Sequence, residues 1–288
     1  MDNFKLNIIT VIICVYNEEY SILNALRSLR NNDIYSQTEI ILIDDHSTNL
    51  VTIRILNLLT KFTQIKLIKS EKNLGLSNSR NLGFSNANTD YIFPLDADDT
   101  FPPQALDMVY QEFVNDPNID FVAGDYETID IETNEVKQIN CYSVSTENYI
   151  DQKKLANDWK LLGTSPCKKS TWVKNGGYNL KYSYTVQDVD FWIRILKNKG
   201  VGKYINKKVY KWHKSNQGMN AQFNRFEMIK LLEDHTDFYQ LTMSKREIYN
   251  KIFEAHYPYK KAITLIKIGK THFLKLRLIN QLRFISIL

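Results

Sequence analysis

The apolar run Tyr91-Ile92-Phe93-Pro94-Leu95 ends in Asp96-Ala97-Asp98-Asp99-Thr100, the densest acidic cluster in the chain. Three carboxylates within four positions repel one another unless a cation stands among them. Mg²⁺ or Mn²⁺ suits such a set, because both take oxygen ligands and bind through one or two carboxylates together with substrate phosphates. An ion held there would neutralise charge as a diphosphate departs. Two more polar clusters directly follow apolar runs, Tyr16-Asn17-Glu18-Glu19 and Asp44-Asp45-His46-Ser47-Thr48-Asn49. The plain alternative for the acidic cluster is a turn that caps the helix beginning near Pro103.

A rival chemistry fits the same five residues, which also spell D-x-D-x-T, the nucleophile loop of haloacid-dehalogenase-type phosphatases. Those enzymes begin with that loop and carry a late acidic pair. Here a complete βαβαβ unit precedes it, and Gly124-Asp125 lacks a second Asp four positions on.

The elements that must position these clusters are legible as two alternating textures. Apolar, β-branched runs at Ile8–Val15, Glu39–Ile43, Ile65–Lys69, Tyr91–Leu95 and Ile119–Ala123 read as strands. Helical patterns at Ser21–Arg30, Val51–Phe62, Ser77–Ser85 and Pro103–Asn115 lie between them. Such alternation predicts an α/β fold, a mostly parallel sheet flanked by helices. Continuous rather than alternating apolar runs fit strands covered on both faces. Ligands in open α/β sheets bind beyond the carboxyl ends of the strands, so the three polar clusters are expected to form one site. Further on, Gln187–Asn198 reads as an amphipathic helix, Val209–Trp212 as a short strand and 220–257 as helical.

Six blocks in order over about residues 7–220 resemble the family 2 glycosyltransferases of GT-A fold. Val15-Tyr16-Asn17-Glu18-Glu19 is similar to P-x-Y-N-E, with Cys14 where the proline usually stands. Ile43 to Asn49 is similar to V-D-D-G-S-T-D, and Asn73-Leu74-Gly75-Leu76-Ser77-Asn78-Ser79-Arg80-Asn81 to N-x-G-x-x-x-A-R-N. The D-x-D cluster follows. Gly176-Gly177-Tyr178 and Gln187-Asp188-Val189-Asp190-Phe191-Trp192-Ile193-Arg194 resemble G-G-F and E-D-x-D-L-W-x-R. Tyr210 to Asn216 resembles Y-R-x-H-x-x-S.

The resemblance implies an inverting transferase that draws a sugar from a nucleotide-diphosphate donor, UDP-linked by default, and passes it to a glycan or lipid-linked acceptor. Tyr16 would stack on the base, Asp45 would accept its ring N–H, and Glu18 would belong to the same donor site. Arg80 would pair with the diphosphate and Asp96 would contact the ribose. Asp98, assisted or replaced by Asp99, would bind the metal with His213, a ligand that tilts the choice toward Mn²⁺. Asp188 would be the base that deprotonates the acceptor hydroxyl, and it also reads as a helix N-cap. Gln187 stands where the family usually has Glu. A degenerate, non-catalytic scaffold domain is the second class of reading.

The remaining totals narrow the setting. Three cysteines, Cys14, Cys141 and Cys167, form no C-x-x-C pair, which fits a reducing compartment. The N-terminus reads as lacking a signal peptide, and Asn7–Val15 is too short to span a bilayer. From residue 257 onward there are seven Lys or Arg and no acidic residue, leaving 30 basic against 32 acidic groups in the rest of the chain. A nearly neutral body argues against nucleic acid as a partner. The division expected is a catalytic domain over 1–219, with nucleotide-sugar and acceptor parts meeting near 100, and a helical extension over 220–288. The basic segment 258–288 fits either a peripheral contact with an anionic membrane or a helix packed on the domain or in a homodimer. The setting expected is the cytoplasm, including the inner face of the membrane.

Overall fold

The computed structural model describes residues 7–158, 165–182, 186–215, 225–244 and 246–248. The chain begins as the sequence predicts: β1 (Ile9–Val15), α1 (Ser21–Leu29), β2 (Thr38–Asp44), α2 (Leu50–Leu59), β3 (Ile65–Lys69), α3 (Leu76–Asn86), β4 (Tyr91–Asp96) and α4 (Ala105–Asn115). Then come β5 (Phe121–Asp130), β6 (Val136–Ile139), the two-residue strands β7 (Ser145–Thr146) and β8 (Tyr149–Ile150), and α5 (Gln152–Asp158). The series closes with β9 (Cys167–Lys168), α6 (Lys169–Lys174), α7 (Gln187–Lys197), β10 (Gly202–Lys214), α8 (Arg225–Asp234) and α9 (Thr236–Tyr239).

Among the described residues one sheet runs β3-β2-β1-β4-β9-β5-β10-β8-β7, with β6 paired to the outer part of β5. The first four strands are parallel throughout. Their burial is nearly complete for β1 and β2, as continuous apolar strands covered on both faces require. β9 breaks the pattern. It pairs antiparallel to β4 through Tyr91 and Ile92 and to β5 through Phe121. The sheet is therefore mixed at its centre, and β5 joins β10 in parallel on the far side.

β10 departs most from the sequence reading. The short strand expected at Val209–Trp212 is thirteen residues long. Asn206, Lys207 and Lys208 interrupt the apolar pattern that would have announced it, and the register shifts between Ile205 and Lys208 and again before Tyr210. Such irregularities bend and twist a strand. They let the second half of β10 reach Thr100, whose N–H and C=O exchange hydrogen bonds of 3.1 and 2.9 Å with Lys211.

The expected extension is in part integral to the domain. Ile229, Leu231, Leu232, Phe238 and Tyr239 belong to the same buried apolar cluster as the sheet. His235 Nε2 lies 2.8 Å from Asp190 Oδ1 on α7, and Tyr182 donates to Asp234 at 2.9 Å. The basic segment 258–288 lies outside the described residues. Among those described, no helix is long and apolar enough to cross a membrane.

α3 packs unusually close to β1 because Gly83 has no side chain. A Cβ there would stand 2.4 Å from Ile12 Cγ2, a branched and fully packed group. Gly83→Ala is expected to destabilise the fold by about 1–3 kcal/mol through overpacking, against a gain in helix propensity of about 1 kcal/mol. Urea denaturation checks this; a variant more stable than the parent would show that Ile12 yields freely.

Candidate functional site

The polar loops beyond β1, β2 and β4 converge at the carboxyl edge of the sheet. Asn17 ties the first to the second. It adopts φ 61°, a left-handed conformation that Asn tolerates better than most residues. Its Oδ1 accepts the N–H groups of Thr48 and Asn49 at 2.8 and 2.9 Å, and its own N–H donates to Ser47 Oγ at 3.1 Å. Asn49 in turn caps α2, accepting from Val51 and Thr52. Tyr16 stands on the lip of this corner with its side chain half exposed.

Asp45 fixes a third loop. Only 5% exposed, it accepts the N–H of Leu74 through Oδ1 and that of Gly75 through Oδ2, both at 2.8 Å. Gly75 has φ 83° and ψ 165°, a region essentially reserved for glycine. A carboxylate oxygen has a second lone pair, so each can still meet a base N–H. Asp45 thus builds the corner as well as facing it, a role the sequence did not disclose.

Arg80, expected to pair with the diphosphate, lies deep in the fold. It is buried, 2% exposed, and donates through a terminal nitrogen to Asp96 Oδ1 at 2.8 Å. Its guanidinium also lies over the Tyr178 ring, 5.4 Å from the centroid. Burial alone would lower its pKa; the Asp96 charge, together with Tyr178, Asp188 and Cys14, more than offsets this and keeps the group cationic. The ion pair orients Asp96.

The neighbour of Arg80 helps to hold three of the sequence blocks together. Asn81 accepts the N–H groups of Trp172 (indole, 2.9 Å) and Tyr178 (backbone, 2.8 Å), and donates to the Tyr178 carbonyl at 2.8 Å. Arg194 of α7 donates to the Gly177 and Asn175 carbonyls and forms a two-nitrogen pair with Asp190. The G-G-Y turn is therefore clamped between α3 and α7. Sequence reasoning gave Tyr178, Asn81 and Arg194 no role, although each lies inside a block it had singled out.

Asp188 lies in the first turn of α7. It is not the N-cap: that position is Val186, in a left-handed conformation at φ 53°. Asp188 Oδ1 accepts the N–H of Val189 at 3.0 Å. Burial raises its pKa, Arg80 opposes the rise and Asp96 adds to it, so the carboxylate shares an electrostatic environment with both. A residue some ninety positions downstream of Asp96 thus feels its charge.

The acidic cluster is a turn closed by a 3.0 Å bond from Asp99 N–H to the Asp96 carbonyl. Ala97 is buried and Asp98 projects outward. Partial burial of its carboxyl group and the Asp96 charge raise its pKa to about 6. Burial, Asp98 and Asp96 raise Glu18 to about 7. Asp99 points the other way. Its Oδ2 accepts the Tyr210 hydroxyl at 2.8 Å and its Oδ1 the His213 N–H at 2.7 Å. Both oxygens are thus engaged by β10. Burial raises its pKa to about 7, a rise that His213 limits and Asp98 increases.

A divalent ion suits this corner. Burial raises the pKa of Asp98 and Asp99, and the buried His213 Nδ1 lacks a hydrogen-bond partner, 3.8 Å from Asp99 Oδ1. Among the described residues no group of three or more His, Cys, Asp or Glu is arranged to hold an ion alone. Mg²⁺ and Mn²⁺ commonly complete their shells with substrate phosphates and water.

Comparisons with known proteins bear on this arrangement. The family model described as Glycosyl transferase family 2 matches residues 10–174. An uncharacterized glycosyltransferase of Haemophilus influenzae is 27% identical over 199 residues, 68% of this chain and 64% of its own length. An uncharacterized glycosyltransferase of Methanocaldococcus jannaschii, MJ1057, is 27% identical over 66% of this chain and 65% of its own. Chondroitin synthase of Escherichia coli is 24% identical over 80% of this chain but 32% of its own length. The chain spans less than two thirds of each of these relatives. A crystal structure of S. aureus TarS in complex with UDP-GlcNAc superposes with a TM-score of 0.66 at 17% identity, covering 88% of this chain and 73% of that one. The fold is GT-A. The phosphatase reading of the acidic turn falls, because Asp96 closes the fourth strand of that fold instead of opening the chain's first.

Asp45→Asn leaves a single oxygen for two backbone donors and is expected to destabilise the fold by about 1–3 kcal/mol, the cost of a buried donor left unmatched. Chemical denaturation without any ligand checks it. Unchanged stability would mean that Asp45 serves ligand binding alone.

Proposed function

Because the chain belongs to glycosyl transferase family 2, we propose that it transfers a sugar from a nucleoside-diphosphate sugar, UDP-linked by default, to a hydroxyl of a glycan or lipid-linked acceptor. The observation that carries this reading is the pair of Asp96 at the end of β4 and Arg80 of α3, 2.8 Å apart at the carboxyl edge of the sheet, with Asp188 of α7 near enough to feel both charges. A base and a donor-side carboxylate drawn from distant segments to one edge of the sheet are what a displacement between two substrates needs.

In this mechanism Tyr16 stacks on the base and Asp45 accepts its ring N–H. Glu18 belongs to the donor site, and Asp96, held by Arg80, takes the ribose. Asp98 and His213, next to Asp99, would hold the divalent ion, Mn²⁺ or Mg²⁺; when bound, the ion would supply charge neutralisation to the leaving diphosphate. The acceptor oxygen attacks the anomeric carbon as its bond to the diphosphate oxygen breaks. The acceptor proton passes to Asp188, and the nucleoside diphosphate leaves with the electron pair. A single in-line displacement inverts the anomeric configuration. The cytoplasm, where a transferase can draw on nucleotide sugars, is the setting this reading implies.

A thermal-shift panel of nucleotide sugars with and without Mn²⁺ tests the donor. One donor at a hundredfold excess over its Kd is expected to stabilise the protein by about 2.7 kcal/mol, with the shift reduced by chelator. No donor with a metal-dependent shift would sink the metal part of the reading.

Asp188→Asn is expected to cut turnover by about 10²–10⁴-fold while donor affinity holds. The base works deprotonated, and burial raises its pKa. Turnover in the parent should therefore fall on the acid side from a pH above the ordinary carboxylate value of about 4. UDP release measured across pH checks both points; full activity in the Asn variant would remove Asp188 from the chemistry.

A further inference from the structure

We propose that Tyr210, acting with Asp99, is the positioning residue that holds the Asp96–Asp99 turn in its working shape, so that Asp99 is a bracket for the turn and not a ligand in it. This rests on the reading of the turn as the donor and metal corner.

The argument begins with the two ends of the turn. The Tyr210 hydroxyl accepts the N–H of Asp96 at 3.2 Å and donates to Asp99 Oδ2 at 2.8 Å. One oxygen atom therefore touches the first and the last residue of a four-residue turn, across its open side. The ring that carries it is 7% exposed and meets Phe101 edge-on, with centroids 5.8 Å apart. Phe101, itself buried, immediately follows Thr100. The hydroxyl is thus fixed by packing on the same segment it fastens.

Two backbone ties continue the bracket along β10. Thr100 and Lys211 form an isolated antiparallel bridge, and the N–H of His213 donates to Asp99 Oδ1 at 2.7 Å. Tyr210, Lys211 and His213 therefore all anchor the segment from Asp96 to Thr100. With both Asp99 oxygens drawn toward β10, Asp98 is the carboxylate of the pair left facing out. The bracket also sets the distance between Asp98 and His213, because His213 is tied by its own backbone to the residue next to Asp98.

A carboxylate at position 99 suits this role. It offers two acceptor oxygens in a plane, one for a hydroxyl and one for a backbone N–H, and such bonds to an anionic acceptor are stronger than neutral ones. Ala97, 3% exposed, leaves no room for the turn to roll inward.

Hydrogen exchange and Mn²⁺ binding followed by electron paramagnetic resonance, in the presence of UDP, test the bracket on the full chain. Tyr210→Phe removes one hydroxyl and keeps the ring. It is expected to speed exchange of the amides from Asp96 to Thr100 by about tenfold, the worth of a lost hydrogen bond, with β1 and β2 unchanged. Mn²⁺ affinity should weaken by about tenfold, as loss of an outer-shell partner does. Asp99→Ala should behave likewise, and Asp99→Asn, which keeps an acceptor for His213, should lose less on both readouts. Parent-like exchange in Tyr210→Phe overturns the proposal. So does an Asp99→Ala protein that loses Mn²⁺ outright while its turn exchanges normally, because that is the behaviour of a direct ligand. A parent chain that binds no Mn²⁺ refutes the metal assignment instead, and the exchange result alone then decides the bracket.

Discussion

The buried pair between Arg80 and Asp96 is the constraint around which the site is arranged. Taking two charges out of water is costly, and a pair of this kind rarely gains stability over well-packed apolar residues. It persists only where the surroundings hold both partners. Here the guanidinium rests against the Tyr178 ring, and Asp96 is fixed at its backbone by Tyr210. Asn81 beside Arg80 and the turn that follows Asp96 carry ties onward to other parts of the site.

That dependence runs outward in two directions. On one side Asn81, next to Arg80, grips the G-G-Y turn, and Arg194 grips the same turn from α7. The helix that carries Asp188 in its first turn is thereby registered against α3. On the other side the acidic turn is fastened to β10, which brings His213 to the crevice. α7 carries a further burden on its inner face, where Asp190 meets both Arg194 and His235. The first turn of one helix therefore connects the candidate base to the segment that follows the sheet.

The early part of the fold was legible because its physics is local. β1 to β4 are apolar runs closed by turn residues, and helices with caps such as Asn49 lie between them. The convergence of Tyr16, Asp45 and Asp96 at one edge followed from the parallel order alone. What could not be read depended on contacts distant in sequence. Nothing about Arg80 on a polar helix announces burial, which comes from Asp96 and Tyr178. Asp99 looks like its neighbour Asp98 until β10 is present to claim its oxygens. β10 was seen at a third of its length, because lysines at 207 and 208 mask a strand whose pairing with β5 supplies the missing order. The left-handed residue at Val186, which shifted the cap of α7 away from Asp188, violates the ordinary preference of a β-branched residue and leaves no trace in a pattern of apolar positions.

The antiparallel insertion of β9 has a mechanical meaning. It joins the β3-β2-β1-β4 half of the sheet to the β5-β10 half through two residues at the end away from the crevice. Beyond Ile92 the far edge of β4 runs on without β9 beside it, and the two halves meet again at the acidic turn, through Tyr210, Thr100 and His213. The sheet is in this sense a seam stitched at both ends. Sliding one half along the other displaces the upper stitches directly, so the registry of the two halves and the shape of the acidic turn are one degree of freedom, not two.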